Sequence, residues 1–244
     1  MAILIVAFAL AALLYASVGF GGGSTYSALL SVAGVDYRIL PLVALACNIV
    51  VVLGSTIRFA RAGQIPWRKA LGLTALSAPT ALLGGLTPID ERSFFALLGV
   101  SLLLTAAAMI VPAPLIKTKS GTAKWVPAVA IPLGYLAGVV GIGGGIFLAP
   151  LLHLTRWEGT RAIAAIASVF ILVNSLFGIA GQVLKGGSGR LSAAIELGLP
   201  LLIAVAVGGQ VGSLMASRLL PEIWVRRLTA ILIAVIGARL IAGL

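Results

Sequence analysis

One cysteine, Cys47, and one histidine, His153, leave these 244 residues without the means for an intramolecular disulfide or a zinc site of His and Cys ligands. Acidic residues are nearly as scarce. Six Asp and Glu in the whole chain supply no paired carboxylates, no HExxH and no Ser/His constellation within the apolar stretches, which argues against an enzyme. No ATP-binding motif is present, and no cofactor or metal is implied. Charge of either sign makes up only 9% of the chain, against roughly a quarter in soluble domains. Period-two alternation, the mark of a membrane β-barrel, is also missing. Met1–Phe8 carries no basic segment, so the chain is expected to begin as mature protein and not as a cleaved signal peptide.

What is abundant is apolar sequence. Hydrophobic residues reach 61%, and the mean hydropathy is +1.18. Runs such as Leu40–Ile57, Ser93–Val111, Ala162–Gln182 and Leu228–Leu244 cross or nearly cross a hydrocarbon core of about 30 Å at about 1.5 Å per residue. The expected class is an all-α polytopic protein in contact with the lipid bilayer. The net charge of +11 could suggest nucleic acid. However, Lys and Arg stand in short groups between apolar spans and form no stripe with interleaved aromatics, so no nucleic-acid partner is expected.

Glycine is concentrated where a membrane helix can least accommodate it. SVGFGGGSTY places Gly19, Gly21, Gly22 and Gly23 within five residues, and VVGIGGGIFL repeats the pattern at Gly141, Gly143, Gly144 and Gly145. The cluster belongs to a longer internal repeat. Asn48 and Asn174, and Leu71-Gly72-Leu73 and Leu197-Gly198-Leu199, stand at a common offset of 126, with Glu91 and Glu222 at 131. Residues 1–111 form a first membrane repeat, 112–124 a basic linker and 125–244 a second repeat. Each repeat holds a Gly-broken hairpin followed by three apolar helices, at about 39–60, 68–87 and 92–111, then 161–183, 191–219 and 223–243.

Two topologies are open. If each broken segment crosses the bilayer, the seventeen Lys and Arg split ten to seven between faces. If each returns to its own side, Arg58, Arg61, Arg68 and Lys69 share one face with Lys117, Lys119, Lys124, Arg156, Arg161, Arg218, Arg226 and Arg227, and the split becomes twelve to five. The positive-inside rule favours the second arrangement. It makes the halves inverted repeats. It places Gly63–Arg68 and Pro112–Lys124 in the cytoplasm, with both termini and a Val183–Arg190 loop outside. Its difficulty is unequal arms, about 25 Å of helix for Ala2–Val18 against roughly 15 Å for Ser24–Ala33.

Non-helical backbone in hydrocarbon costs several kcal/mol per unsatisfied group unless protein buries it or it lines a cavity. Glycine permits both positive φ and close approach. Helices starting at Ser24 and Ile146 would aim free N–H groups and positive dipole ends at the breaks, a setting for a small oxyanion or carboxylate. The expected substrate-binding set is Gly21, Gly22, Gly23, Ser24, Thr25, Asn48, Gly143, Gly144, Gly145, Ile146 and Asn174. Asn48 and Asn174 serve either as anion donors or as interhelical hydrogen bonds, and Ser24 and Thr25 as donors or helix caps. The spaced pairs Gly134/Gly138 and Gly208/Gly212 read as packing contacts. Cys47 reads as packing, and His153 and Glu196 as interfacial residues, with proton coupling the competing role for both. Asp36, Asp90, Glu91, Glu158 and Glu222 lie beside Arg or Lys as solvated pairs.

The doubled GFGGGS and GIGGGI segments, each followed by an Asn in an apolar helix (LACNIVVVLGS and FILVNSLFGIAG), resemble the TauE/SafE sulfite exporter family, also called the toluene sulfonate uptake permease family. The resemblance spans essentially the whole chain. It implies a secondary transporter of the cytoplasmic membrane carrying sulfite, a sulfonate or another small sulfur-containing anion. A coupling proton or cation is an optional further partner. An anion channel of the same architecture is the alternative, and a structural subunit of a larger membrane complex has no use for two polar breaks. Ile146 stands where the first half has Ser24, so the two half-sites are chemically unequal.

Overall fold

The computed structural model describes residues 1–18, 21–110, 125–214 and 222–243. Gly19, Phe20 and the linker expected at 112–124 lie outside the described residues. All regular structure among the described residues is helical: α1 (Ala2–Val18), α2 (Gly23–Val32), α3 (Leu40–Arg61), α4 (Trp67–Leu86), α5 (Glu91–Ile110), α6 (Val126–Val140), α7 (Gly145–Leu154), α8 (Thr160–Leu214) and α9 (Glu222–Ala242). α8 breaks at Gly187 into α8a (Thr160–Gly187) and α8b (Gly189–Gly212), giving ten helical segments. The Val183–Arg190 loop expected from the sequence is therefore corrected. KGGSGR looks like a linker, but its residues stay helical up to one non-helical glycine, with φ 68° and ψ −177° at Gly187.

Local chemistry sets the helix ends. Pro41 occupies the first turn of α3, and Arg58 and Arg61 occupy its last, each at the end the helix dipole and the missing proline N–H favour. Asp90 Oδ2 accepts from the Ser93 backbone N–H at 3.0 Å to cap α5. That bond holds the Asp90 carboxyl below its ordinary pKa.

α3, α5, α8a and α8b are long and apolar enough to cross a membrane. α3 and α8a are central, with 61% of each apolar window buried, against 39% in α5 and 33% in α8b. The outer helices turn Leu71, Leu83, Leu104, Ile203 and Val207 outward, as lipid-facing surfaces do. Glu196 is also exposed, on α8b, which matches an outer-surface position.

Glycines bring backbones together. A β-carbon at Gly134 would run into the Ser77 carbonyl and one at Gly138 into the Ala81 carbonyl, so α6 lies directly on α4. Gly208 and Gly212 meet the carbonyls of Ala9 and Leu13 in the same way, so α1 lies on α8b and runs in the same sense. Gly208→Ala and Gly212→Ala are expected to lower stability by about 1–3 kcal/mol through overpacking, as thermal unfolding would measure.

The helix ends gather in two groups. Lys69 Nζ stands 2.5 Å from Glu158 Oε1 and 5.0 Å from the centre of the Trp157 ring, joining the first turn of α4 to the α7–α8a turn. Val126 at the start of α6 and Leu152 near the end of α7 share a buried cluster with Ile65 at this end. At the opposite end, Lys185 Nζ donates to the Thr87 carbonyl at 3.1 Å. A cavity there brings Arg38, Pro88 and Arg190 together.

Candidate functional site

Each break is made by a glycine that caps the helix after it. Gly22 (φ 80°, ψ 8°) is the N-cap of α2, and Gly144 (φ 74°, ψ −20°) is the N-cap of α7. Both are in the left-handed region, which costs an L-residue about 1–2 kcal/mol. They are the two residues the repeat aligns at the third place of each cluster. The helices start at Gly23 and Gly145, one residue earlier than expected, because the capping glycine needs no side-chain cap. Tyr26 N–H bonds back to the Gly22 carbonyl, and Phe147 and Leu148 N–H both bond to that of Gly144, so the first N–H groups of each helix, ahead of Tyr26 in α2 and of Phe147 in α7, have no preceding turn to bond to.

The two breaks meet at Asn48. A β-carbon at Gly21 would lie 2.7 Å from Asn48 Oδ1, and one at Gly23 would lie 2.9 Å from it. From the second break, a β-carbon at Gly143 would lie 2.9 Å from Asn48 Nδ2. Gly23 also faces the Ile142 carbonyl, so the breaks touch each other beside the amide. Only glycine at these three places lets α3 present an amide to both helix starts at once.

Asn48 is fully buried, and neither amide atom has a hydrogen-bond partner among the described residues. Ser24 Oγ, Tyr26 Oη, Ser27 Oγ, Ser175 Oγ and both amide atoms of Asn174 are likewise buried and unpartnered. Buried polar groups are nearly always paired in folded proteins, so these two helix starts and their neighbours hold an unusual concentration of free hydrogen-bonding capacity. Thr25 differs from Ser24, because its Oγ1 lies 2.9 Å from Tyr15 Oη and is satisfied. None of these residues carries a formal charge. The electrostatics of the place come from helix ends, amides and hydroxyls.

The second half contributes unequally. The α8a residues that come closest to the break glycines are Ala167, Phe170, Ile171 and Ser175. Asn174, the counterpart of Asn48 in the repeat, is as deeply buried, but the convergence of both breaks falls on Asn48. Gly145 packs against Ile171, and Ile146 is only half-buried against the apolar core. Ser175 and Tyr26 were not singled out by the sequence. Ser175 stands four residues after Ile171, one turn along the same helix face, and a β-carbon at Gly143 would lie 3.3 Å from its Oγ. Tyr26 sits one turn after its N-cap Gly22 and stacks on Phe8, with ring centres 4.8 Å apart. Cys47, next to Asn48, points into the apolar core.

Two broken helix pairs close on a buried amide inside an apolar bundle with four described helices long and apolar enough to cross a membrane, the build of a multi-pass membrane protein. The chain belongs to the Sulfite exporter TauE/SafE family, whose profile matches residues 4–240. It is 32% identical over 249 residues to the probable membrane transporter protein y4hK of Sinorhizobium fredii, covering 98% of this chain and 97% of the relative. It is 22% identical to the probable membrane transporter protein YunE of Bacillus subtilis, covering 92% and 91%. No solved structure matches. The cell membrane is its place, and the family and these relatives are named as transporters, not enzymes.

Proposed function

We propose that this protein is a secondary transporter that moves a small anion, of the sulfite or sulfonate kind, bound at Asn48 between the starts of α2 and α7. One observation carries the reading. Asn48 is a fully buried amide, held by Gly21 and Gly23 of one break and Gly143 of the other, with both polar atoms unpartnered. Orphan N–H groups and positive helix ends favour an anion there. Burial of Gly21–Ser24, Gly143–Gly145 and Asn48 closes this level of the bundle, which supports alternating access over an open channel.

The halves are read as inverted repeats with re-entrant hairpins. α6 runs in the sense of α4, with Gly134 on Ser77 and Gly138 on Ala81, and so begins at the Lys69 end, where α7 gives way to Trp157 and Glu158, whereas α1 runs parallel to α8b and so begins at the other end. The Lys69–Glu158 pair supports this topology over the crossing one, since it sets the α3–α4 and α7–α8a turns on one face. The positive-inside rule then makes the Lys69 end cytoplasmic. Cysteines introduced at Gln64 and Gly159 are expected to react with impermeant reagent from the cytoplasm, and cysteines at Gly34 and Gly189 from outside. Labelling of Gln64→Cys and Gly159→Cys from opposite faces would exclude the re-entrant arrangement.

Counterflow in proteoliposomes tests the function. Saturable uptake of labelled sulfite or sulfonate, accelerated by the same anion inside, is the expected result. Flux that does not saturate would establish a channel instead, and the absence of binding and flux for sulfite, thiosulfate, sulfate and sulfonates would remove the anion reading.

A further inference from the structure

We propose a second anion site, separate from Asn48: a capture site in the cavity where Arg38, Lys185 and Arg190 converge at the end of the bundle opposite Lys69. The cavity measures about 370 Å³ and lies between the start of α3, the α4–α5 turn and the α8a–α8b break. That volume falls within the range of ligand pockets, about 300–1,000 Å³. Among the described residues, three cations line it and no carboxylate does.

The two inner cations are committed to it. Lys185 is half-buried, and its only described hydrogen bond is to the neutral Thr87 carbonyl. Arg190 folds back over the chain, its Cδ 2.9 Å from where a β-carbon at Gly186 would stand. The ion pair found among the described residues, Lys69–Glu158, lies at the other end. Arg38 is the exposed member. Its backbone N–H bonds Asp36 Oδ1 at 2.9 Å, and with Asp36 and Glu91 it also lines the adjoining hollow, so part of its charge is already answered. Half-buried cations without counter-charge are costly, and a mobile oxyanion in the cavity would supply that charge.

The cavity also leads inward. Its deep wall includes Gln182, buried and donating through Nε2 to the Gly138 carbonyl at 2.9 Å, and Pro41. A β-carbon at Gly141 would lie 2.7 Å from Pro41 Cα, so one residue separates the cavity from the second break. Pro41 and Asn48 are seven residues apart on α3, about 10 Å along the helix axis. An anion held by Lys185 and Arg190 would stand roughly two helical turns from the transport site. The identity of the occupant as a transported anion rests on the function proposed above, whereas the charge of the cavity does not.

An anionic lipid headgroup offers the same oxyanion chemistry, so the test must separate the two sources. Calorimetric titration with sulfite and sulfate would use full-length protein in zwitterionic nanodiscs, with and without phosphatidylglycerol. Asn48→Leu is expected to retain a weaker, salt-sensitive binding event. Adding Lys185→Gln and Arg190→Gln should weaken that event about tenfold for each charge removed, whereas Lys185→Arg in place of Lys185→Gln should keep the charge and its share of the binding, which guards against misfolding. If Asn48→Leu abolishes all binding while the parent binds, the capture site is overturned and the transport reading stands. If Asn48→Leu leaves parental binding and the double Gln variant removes it, the capture site stands and the Asn48 reading falls. Loss of the residual event whenever phosphatidylglycerol is present would assign the cavity to lipid and overturn capture of a soluble anion. No binding by the parent protein would overturn both.

Discussion

Asn48→Leu is expected to weaken binding at the central site by about 10- to 150-fold, the effect of losing a hydrogen bond to a charged ligand worth about 1.5–3 kcal/mol, and to stop transport. The same substitution should leave the fold as stable as the parent, or more stable. This second outcome separates the proposal from a structural role. Asn48 Oδ1 and Nδ2 are buried and bond nothing among the described residues, so leucine, of similar size and shape, removes an unsatisfied polar group and breaks no described bond. Were Asn48 a structural hydrogen-bonder, leucine would lower the unfolding temperature and leave affinity in place. Thermal unfolding and anion titration on one preparation therefore read the two roles in opposite directions. Asn174→Leu should show the smaller effect on affinity, because the break glycines close on Asn48 and on Ser175.

The apolar helices were legible because membrane spans are written in composition. The span expected at 39–60 became α3 at Leu40–Arg61, and that at 68–87 became α4 at Trp67–Leu86. The glycine breaks were legible because four glycines in five residues have no use inside a continuous span, and the capping conformation of Gly22 and Gly144 follows from their matched places. What pattern could not give was the geometry between halves. The repeat makes Asn48 and Asn174 equal, but tertiary packing draws both breaks toward Asn48. Gly187 misled for a physical reason. A glycine-rich polar hexapeptide carries loop composition, but α8a and α8b continue almost directly into each other with one residue turned, so composition overstated the length of the break. The basic cavity was hidden too, because Arg38, Lys185 and Arg190 come from distant parts of the chain and meet only after α3, α5 and α8a pack.

Gly144→Val and Gly22→Val are expected to abolish anion binding, for reasons that can be traced atom by atom. At Gly144 the backbone is left-handed with φ 74°, and a β-carbon would stand 3.0 Å from the Phe170 ring and 3.1 Å from the Leu133 carbonyl. At Gly22, φ is 80° and the β-carbon would meet Tyr15 at 3.0 Å and Tyr26 at 3.1 Å. The left-handed conformation alone costs about 1–2 kcal/mol for a residue with a β-carbon, more for a branched one, which is about tenfold in any equilibrium that needs the native turn. The chain can relieve this strain by rotating the capping residue, and that rotation re-aims the first N–H groups of α7 or α2 away from Asn48. Affinity should therefore fall further than stability. Gly208→Ala should do the reverse, since what it crowds is the Ala9 carbonyl of α1 and not a capping glycine. Gly72→Val is the control: nothing lies within 4 Å of its β-carbon and its φ is not positive, so binding and stability should match the parent. If the Val variants at Gly22 and Gly144 both titrate like the parent, the breaks are kinks that only shape the bundle, and the anion must be held by side chains of α3 and α8a without the helix starts.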